Sequence, residues 1–217
     1  MISKAEIAKY IDHTILKPDA TTEEVKKVCD EAKKYGFASV CVNSSYISLV
    51  AKELEESDLA PCCVVGFPLG ASILGVKAHE ANLAVSNGAK EIDMVMNIGA
   101  AKNKDWELVA KDIEDVRLAI DDDMILKVIL ETCLLDFSEI SMACSIAMAS
   151  GANFIKTSTG FSTGGAKSYI IRFIRDVVGP DMGIKASGGI RTYEDVVYMI
   201  EAGATRIGAS ASVEIVT

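Results

Sequence analysis

The sequence contains little of what a metal site, a membrane span or secretion would require. Its two histidines, His13 and His79, lie far apart, and its six cysteines include no CxxC pair, so a zinc site is not expected. No apolar run approaches the roughly 20 residues that cross a membrane. The first residues lack the basic start and the apolar run of a signal peptide. These absences predict a cytoplasmic protein with reduced thiols and no metal.

Positive charge is also in short supply, because 22 Lys and Arg residues face 31 Asp and Glu residues and the net charge is −9. Such a chain has no overall attraction to nucleic acid or to an anionic membrane. An anionic ligand must therefore be held by a local group of cations and backbone donors. We expect a small-molecule partner, and neither nucleic acid nor a membrane.

Two kinds of segment alternate along the 217 residues. Short runs rich in Val and Ile predict buried parallel strands, and the amphipathic stretches between them predict helices. The predicted strands are Ile11–Ile15, Ala38–Asn43, Ala60–Gly66, Glu91–Met96, Ile125–Glu131, Phe154–Thr159, Gly183–Ala186 and Thr205–Ala209. The predicted helices cover residues 22–35, 45–57, 72–87, 104–121, 136–150, 165–178 and 192–202.

The order of these segments predicts the fold class. A helix-ending glycine followed by alanine precedes a strand at Gly88, Gly151 and Gly203, as expected of a repeated βα unit. The alternative, an open doubly wound sheet, would show a Gly-rich fingerprint in its first βα turn, and none is present there. Eight parallel strands therefore favour an α/β fold of the (β/α)8 TIM-barrel type, with residues 1–217 forming a single domain.

Three lysines stand inside otherwise apolar predicted strands. Lys127, Lys156 and Lys185 follow one another at intervals of 29 residues, so they come from three consecutive strands. One strand lysine is best explained as an outward side chain whose ammonium reaches solvent. Three on adjacent strands make that explanation the poorer one, because lysine is rarely buried without a partner. Catalytic groups of such barrels lie at the carboxyl ends of the strands.

Clustered lysines suit nucleophilic attack on a carbonyl. A free lysine is almost fully protonated at pH 7, since its pKa is about 10.4. A second ammonium about 5 Å away disfavours protonation by roughly two pKa units, and burial acts in the same direction. The pattern therefore predicts a neutral amine that can form a Schiff base.

Two further signals accompany the lysines. Loops rich in glycine and hydroxyl groups follow the last three strands, and barrels commonly bind phosphate there; a tight turn is the alternative explanation of each Gly-Gly pair. Asp93 lies within an apolar strand, where an unpaired acid is costly. It can form a salt bridge with a lysine, relay protons through water, or do both.

Five segments resemble those of the deoxyribose-phosphate aldolase family, over residues 7–216. The segments are Asp12-His-Thr-Ile-Leu-Lys-Pro, Val65-Gly-Phe-Pro-Leu-Gly, Glu91-Ile-Asp-Met-Val, Lys156-Thr-Ser-Thr-Gly and Lys185-Ala-Ser-Gly-Gly-Ile-Arg. The resemblance implies a class I aldolase that needs no metal and no other cofactor. It implies reversible cleavage of 2-deoxy-D-ribose 5-phosphate to D-glyceraldehyde 3-phosphate and acetaldehyde, in deoxynucleoside catabolism.

The resemblance also implies roles for particular residues. Lys156 matches the Schiff-base lysine, Lys185 the second lysine whose charge favours the neutral amine, and Asp93 the acid of the proton relay. The implied substrate-binding positions are Asp12, Cys41, Lys127, Thr159, Gly160, Gly188, Gly189, Gly208 and Ser210. A homo-oligomer, most simply a dimer, is the expected assembly.

The sequence departs from the family pattern near its end. Family members usually carry two adjacent serines after the last strand, whereas Ser210 is followed here by Ala211, so we expect one hydroxyl fewer to phosphate and the same backbone N–H. Some relatives carry a longer tail ending in a tyrosine that assists proton transfer, and we expect a slower enamine step in a chain that ends at Thr217. Three alternatives stay open: another lysine-based aldolase, such as a transaldolase or a keto-acid aldolase; a catalytically silent barrel; and a metal-dependent barrel enzyme.

Overall fold

The computed structural model describes residues 2–217 and contains one closed barrel of eight parallel strands. The strands are β1 (Ile11–Ile15), β2 (Ser39–Val42), β3 (Ala60–Val65), β4 (Glu91–Val95), β5 (Ile125–Ile129), β6 (Phe154–Lys156), β7 (Gly183–Ser187) and β8 (Arg206–Ala209). Each strand pairs with the next, and β8 pairs with β1 through Asp12 and Gly208. The prediction of a (β/α)8 barrel is confirmed.

Within residues 2–217, ten helices lie outside the barrel. They are α1 (Lys4–Ala8), α2 (Thr22–Tyr35), α3 (Ile47–Glu53), α4 (Val76–Ser86), α5 (Ile98–Lys102), α6 (Trp106–Leu118), α7 (Phe137–Ala149), α8 (Ser168–Val178), α9 (Tyr193–Glu201) and α10 (Ser212–Val216). Short 3₁₀ turns occupy Ser44–Tyr46 and Thr132–Leu134. Among the helices within residues 2–217, none is long and apolar enough to cross a membrane.

Local sequence signals explain where the longer helices begin and end. Thr21 accepts a hydrogen bond from the Glu24 amide while the Glu24 carboxylate accepts one from the Thr21 amide, so a capping box starts α2. Asp136 and Thr192 start α7 and α9 in the same way. Gly36 ends α2 in the left-handed conformation, at φ 67°, which glycine adopts without a steric cost.

The predicted elements differ from the observed ones mainly at their ends. The sixth strand was predicted to run to Thr159, but β6 ends at Lys156 because the following residues bend into a loop held by side chains. The Thr157 hydroxyl accepts a hydrogen bond from the Ser187 amide, and Thr159 donates to Glu131. The short helices α1, α5 and α10 lie outside the predicted helical ranges. Apolar periodicity carries little information over five residues.

The barrel has two cores of different character. The outer core, between the sheet and the helices, is apolar and includes Val40, Ile92 and Leu126. Inside the barrel the apolar part is small and contains Cys41, Cys62 and Val64, covered by Leu16 and Phe67. The remaining interior is charged. Because side chains alternate along a strand, the strand residues between the outer-core positions point inward.

Candidate active site

Seven charged side chains occupy the barrel interior among the described residues. They are the carboxylates of Asp12, Glu91 and Asp93 and the cations of Lys127, Lys156, Lys185 and Arg206. All except Arg206 are at most 3% exposed, and the side chain of Arg206 is 12% exposed. Buried charges persist when they are paired and hydrogen-bonded, and the ion pairs within this group meet that requirement. We call these seven residues the barrel cluster.

Asp93 lies at the centre of the barrel cluster. Its Oδ1 accepts a hydrogen bond from Lys127 Nζ at 2.8 Å. Its Oδ2 accepts bonds from Lys156 Nζ and Lys185 Nζ, each at 2.7 Å. Burial acts to raise the pKa of Asp93, but the three ammonium groups outweigh it and hold the pKa well below its ordinary value. One carboxylate thus joins all three lysines that the sequence singled out.

Lys127 and Lys185 are each held by more than one carboxylate. Lys127 Nζ lies 2.5 Å from Glu91 and 2.8 Å from Asp93, and Lys185 contacts both Asp12 and Asp93. Burial acts to lower the pKa of both lysines, but these carboxylates raise it above the ordinary value. These carboxylates favour the charged form of both lysines, so we do not expect the predicted neutral amine at Lys127 or Lys185.

Lys156 differs from the other two lysines in its partners and in its position. Within residues 2–217 it forms an ion pair with one carboxylate, that of Asp93. It also borders a cavity at the mouth of the barrel, whereas Lys127 and Lys185 do not. Of the three predicted lysines, Lys156 is the one that a ligand in this cavity can reach.

The cavity has a volume of about 580 Å³ and lies over the carboxyl ends of the strands. Seven predicted site residues line it. They are Lys156, Thr159, Gly160, Gly188, Gly189, Gly208 and Ser210. Five others lie beneath it in the barrel interior and do not line it. They are Asp12, Cys41, Asp93, Lys127 and Lys185. Direct contact of Asp12, Cys41 and Lys127 with a ligand stays a prediction, because their side chains are fully buried.

The loops around the cavity depend on glycine at particular points. Gly188 and Gly189 both have positive φ, at 86° and 78°, a conformation that L side chains rarely adopt. A Cβ on Gly165 would collide with the Gly188 backbone. A Cβ on Gly208 would lie 3.0 Å from Ser187 Cβ and 3.1 Å from Lys185 Cε. The glycine-rich segments therefore allow loop backbones to approach one another and to leave space at the cavity wall.

Two interactions at the cavity wall were not anticipated. Glu131, at φ 58°, accepts hydrogen bonds from the Thr159 amide and hydroxyl and so anchors the loop after β6. His13 Nε2 lies 2.9 Å from a Glu31 carboxylate oxygen and its Nδ1 lies 2.9 Å from Ser212 Oγ, which ties β1 to α2 and α10. His13 lies in one of the five segments that resemble the aldolase family. Nothing in the local sequence marks Glu31 or Ser212 as its partners.

Arg206 and Glu91 were also missed as site residues. Arg206 donates hydrogen bonds to Asp12 at 2.7 Å and to Glu91 at 3.0 Å. Both residues are charged and stand inside predicted apolar strands, which is the signal that identified the lysines. That signal could have found them.

The structure brings three potential metal ligands together. One ligand atom each from Cys41, Cys62 and Asp93 lies within 4.8 Å of the others. Both oxygens of Asp93 already accept hydrogen bonds from lysines. The positive charge of those lysines opposes a cation at this position. The absence of a metal from the reaction stays a prediction.

Barrel enzymes place their chemistry at the carboxyl ends of the strands, and here that end holds a cavity with a lysine in its floor. The fold and site thus define a barrel of the lysine-dependent aldolase type. A family model described as DeoC/LacD family aldolase matches residues 6–213. The chain belongs to the DeoC/LacD family of aldolases.

Individual relatives agree with this assignment. A Clostridium novyi (strain NT) protein named deoxyribose-phosphate aldolase is 58% identical over 208 residues, which are 96% of this chain and 94% of that one. A Clostridium tetani protein of the same name is 57% identical over 97% of this chain and 98% of its own. The tetrameric deoxyribose phosphate aldolase from Aeropyrum pernix superposes with a TM-score of 0.92 at 35% identity, covering 99% of this chain and 91% of the other.

Proposed function

We propose that the protein cleaves 2-deoxy-D-ribose 5-phosphate reversibly to D-glyceraldehyde 3-phosphate and acetaldehyde, with Lys156 as the Schiff-base lysine. The observation that carries the role of Lys156 is its position: it borders the cavity, while Lys127 and Lys185 lie beneath it. The substrate is supported by family membership and by the name shared by relatives at 57% and 58% identity.

Charge balance supports Lys156 as the amine that loses its proton. The barrel cluster contains four cations and three carboxylates, so one cation is in surplus. Lys127 and Lys185 each contact at least two carboxylates, and Lys156 contacts one. A neutral Lys156 therefore leaves the buried charges balanced, whereas a neutral Lys127 or Lys185 leaves carboxylates without their partners.

The chemical steps follow from a neutral amine beside a retained ammonium. Lys156 Nζ attacks the C1 aldehyde of the open-chain sugar, and loss of water gives an imine whose protonated form withdraws electrons. A base removes the proton of the C3 hydroxyl, the C2–C3 bond breaks, and its electron pair passes into an enamine. Glyceraldehyde 3-phosphate leaves. Protonation of the enamine at C2 and addition of water then release acetaldehyde and the free amine.

Asp93 and Lys185 are placed to manage these protons. Asp93 Oδ2 accepts hydrogen bonds from both Lys156 Nζ and Lys185 Nζ. Because the pKa of Lys185 is raised by Asp12 and Asp93 against the effect of burial, Lys185 keeps its proton when Lys156 loses one. We assign to Lys185 the retained positive charge, and to Asp93 the acceptor and donor of the relay.

We assign the phosphate group to the glycine-rich loops of the cavity wall. Gly188, Gly189, Arg191 and Ser210 line the same cavity as Lys156. Backbone amides of such loops, a hydroxyl and a guanidinium are suitable donors to a phosphate. Lys156 and these donors border one cavity of about 580 Å³, which is large enough for a five-carbon sugar phosphate.

The test is reductive trapping. The protein is incubated with acetaldehyde or with deoxyribose 5-phosphate, reduced with borohydride and mapped by peptide mass spectrometry. We expect an N-ethyl group on Lys156 with acetaldehyde, and no such group in Lys156→Met. Lys77→Met is the matched control, because Lys77 is equally buried but lies outside the barrel.

Each other outcome contradicts part of the proposal. An adduct on Lys127 or Lys185 would keep the aldolase class and overturn the assignment of Lys156. A folded protein that binds the sugar phosphate and gives no adduct would support a silent barrel. If the trapped imine derives from a carbonyl product other than acetaldehyde, the protein is another lysine-based aldolase. Loss of activity in EDTA would indicate a metal-dependent reaction.

We also propose a cytoplasmic homodimer that acts as a single barrel domain. The six cysteines are unpaired in the structure, as expected of a reducing compartment. The loop before α4 exposes Leu69 and Ile73, at 73% and 79%, which supports self-association. Light scattering measures the mass in solution, and a monomer at micromolar concentration would contradict the dimer.

A further inference from the structure

Arg206 is a largely buried cation that neither lines the cavity nor contacts Lys156. Its guanidinium donates hydrogen bonds to Asp12 Oδ1 at 2.7 Å and Glu91 Oε1 at 3.0 Å, and it lies 5.6 Å from the centroid of the Phe154 ring. Asp12 in turn contacts Lys185, and Lys185 shares Asp93 with Lys156. A continuous path of ion pairs therefore connects Arg206 to Lys156.

All eight strands contribute ionisable side chains to the space around Lys156. Besides the seven residues of the barrel cluster, β2 and β3 supply the thiols of Cys41 and Cys62. Burial raises the pKa of Cys62, and the hydrogen bond with Cys62 lowers that of Cys41. The other ionisable groups at the cavity are His13, Lys17, Glu24, Lys27, Glu31 and Arg191. These rim groups are separate from the ion pairs that Arg206 makes.

The surplus positive charge of the barrel cluster depends on Arg206. An arginine does not lose its proton in proteins, so Arg206 cannot relieve the surplus itself. Lys127 and Lys185 are held as cations by their carboxylates. Lys156, with one carboxylate partner among the described residues, remains as the group that can release a proton.

We propose that Arg206 is a positioning residue for the aldolase reaction: its permanent charge, paired with Asp12 and Glu91, supplies the positive surplus that makes Lys156 give up its proton. This inference rests on the proposed role of Lys156. The pH range of activity would then depend on a residue at the end of the barrel remote from the cavity.

The Arg206–Glu91 ion pair allows a test that separates charge from structure. Arg206→Met and Glu91→Gln both alter the hydrogen bond between Arg206 and Glu91, but they change the charge of the barrel cluster in opposite directions. Arg206→Met removes the surplus, so the acid limb of kcat/KM should move up by roughly one pH unit, the effect of a unit charge across about 10 Å. Glu91→Gln increases the surplus, so the limb should move down by a similar amount.

Two further variants complete the design. Arg206→Lys keeps the charge and should leave the acid limb where the parent has it. The double variant Arg206→Met/Glu91→Gln restores a surplus of one cation and should return the limb to the parental position. The same four variants are compared by the pH dependence of imine trapping with acetaldehyde, which carries no titratable group of its own.

Movement of both single variants in the same direction, or no movement in a variant that circular dichroism shows to be folded, would overturn the role of Arg206. If Arg206→Met does not fold, Glu91→Gln and Arg206→Lys still decide the matter, because the acid limb must move down in the first and stay at the parental position in the second. Failure of the proposed function is distinct, since the parent would then give no adduct on Lys156 at any pH.

Discussion

The barrel cluster and the contact between α4 and α6 both bury lysine against carboxylate. The pKa values of the buried groups shift in opposite directions at the two places. In the helix contact Lys77 Nζ lies 2.5 Å from Asp112 Oδ2, with side chains 1% and 4% exposed. Burial there outweighs the ion pair, lowering the pKa of Lys77 and raising that of Asp112. In the barrel cluster the pKa of Asp93 is lowered and that of Lys127 raised, despite complete burial.

The number of partners explains this difference. Lys77 and Asp112 have one oppositely charged partner each, so a single Coulomb interaction must offset the desolvation of two ions. Asp93 has three ammonium partners and Lys127 contacts Glu91 and Asp93 at 2.5 and 2.8 Å. Asp93 and Lys127 each gain several Coulomb attractions, whereas the cost of desolvating each ion arises once. The lesson is that buried lysines become functional groups through the charges arranged around them.

The same substitution at two buried lysines should give the largest contrast. Lys156→Met should reduce kcat by at least about 1,000-fold, because the imine cannot form, while leaving stability near that of the parent. Lys77→Met should keep kcat within a few-fold per folded molecule. Steady-state kinetics with active-site titration measures both. Comparable losses of kcat in the two variants would contradict the assignment of catalysis to the barrel.

The contrast should reverse when stability is measured. Lys77→Met leaves Asp112 buried without its partner, and we expect a loss of about 3–5 kcal/mol in the free energy of unfolding. The double variant Lys77→Met/Asp112→Leu should recover this loss and be neutral or more stable than the parent by about 1–4 kcal/mol. Urea denaturation provides the values. A double variant as unstable as Lys77→Met would show that the ion pair itself stabilises the helix contact.

The pH dependence of stability should separate the two groups by sign. The native pKa values of Asp12 and Asp93 are lowered against the effect of burial by Lys185 and the other cations. Their stabilisation is therefore present above the unfolded pKa near 3.9 and lost as the pH falls through the native values. Burial raises the native pKa of Asp112, so its contribution declines as the pH rises from about 4.

Asn substitutions test these signs. Asp93→Asn should flatten the fall in unfolding free energy below about pH 4, and Asp112→Asn should remove the decline above about pH 4. Each change should amount to about 1–3 kcal/mol, measured by urea denaturation between pH 3 and 7. If both substitutions changed the slope of the unfolding free energy against pH in the same direction, the contrast between the two aspartates would be wrong.

Two glycines that contact buried lysines offer the smallest and most local test. A Cβ on Gly208 would lie 3.1 Å from Lys185 Cε, and one on Gly66, at φ 62°, would lie 2.8 Å from Lys77 Cε. Gly208→Ala should displace Lys185 and lower kcat by about threefold to tenfold with little loss of stability. Gly66→Ala should leave kcat unchanged and cost about 1–2 kcal/mol of stability. Equal effects of the two substitutions on kcat and on stability would contradict the different roles of Lys185 and Lys77.

Much of the barrel was predictable because its signals are local. The αβ turns at Gly88, Gly151 and Gly203 and the apolar strand runs show the repeated unit directly, and β1 agrees with its predicted bounds. The end of β6 was not predictable from apolar runs, because Glu131, in the loop after β5, anchors Thr159. The resemblance assigned the Schiff base to Lys156, but spacing alone could not distinguish this lysine from Lys127 and Lys185.

The sequence by itself determined the βα repeat, the three interior lysines and the glycine-rich loops at the cavity. Those features are periodicities and residue types that act within one unit of the chain. The tertiary structure decided which lysine reaches the cavity and which charges surround it. Asp12 and Arg206, for example, are brought together by closure of β8 on β1. Coulomb energy depends on distance in space, so the charge state of each buried lysine is a property of the closed barrel.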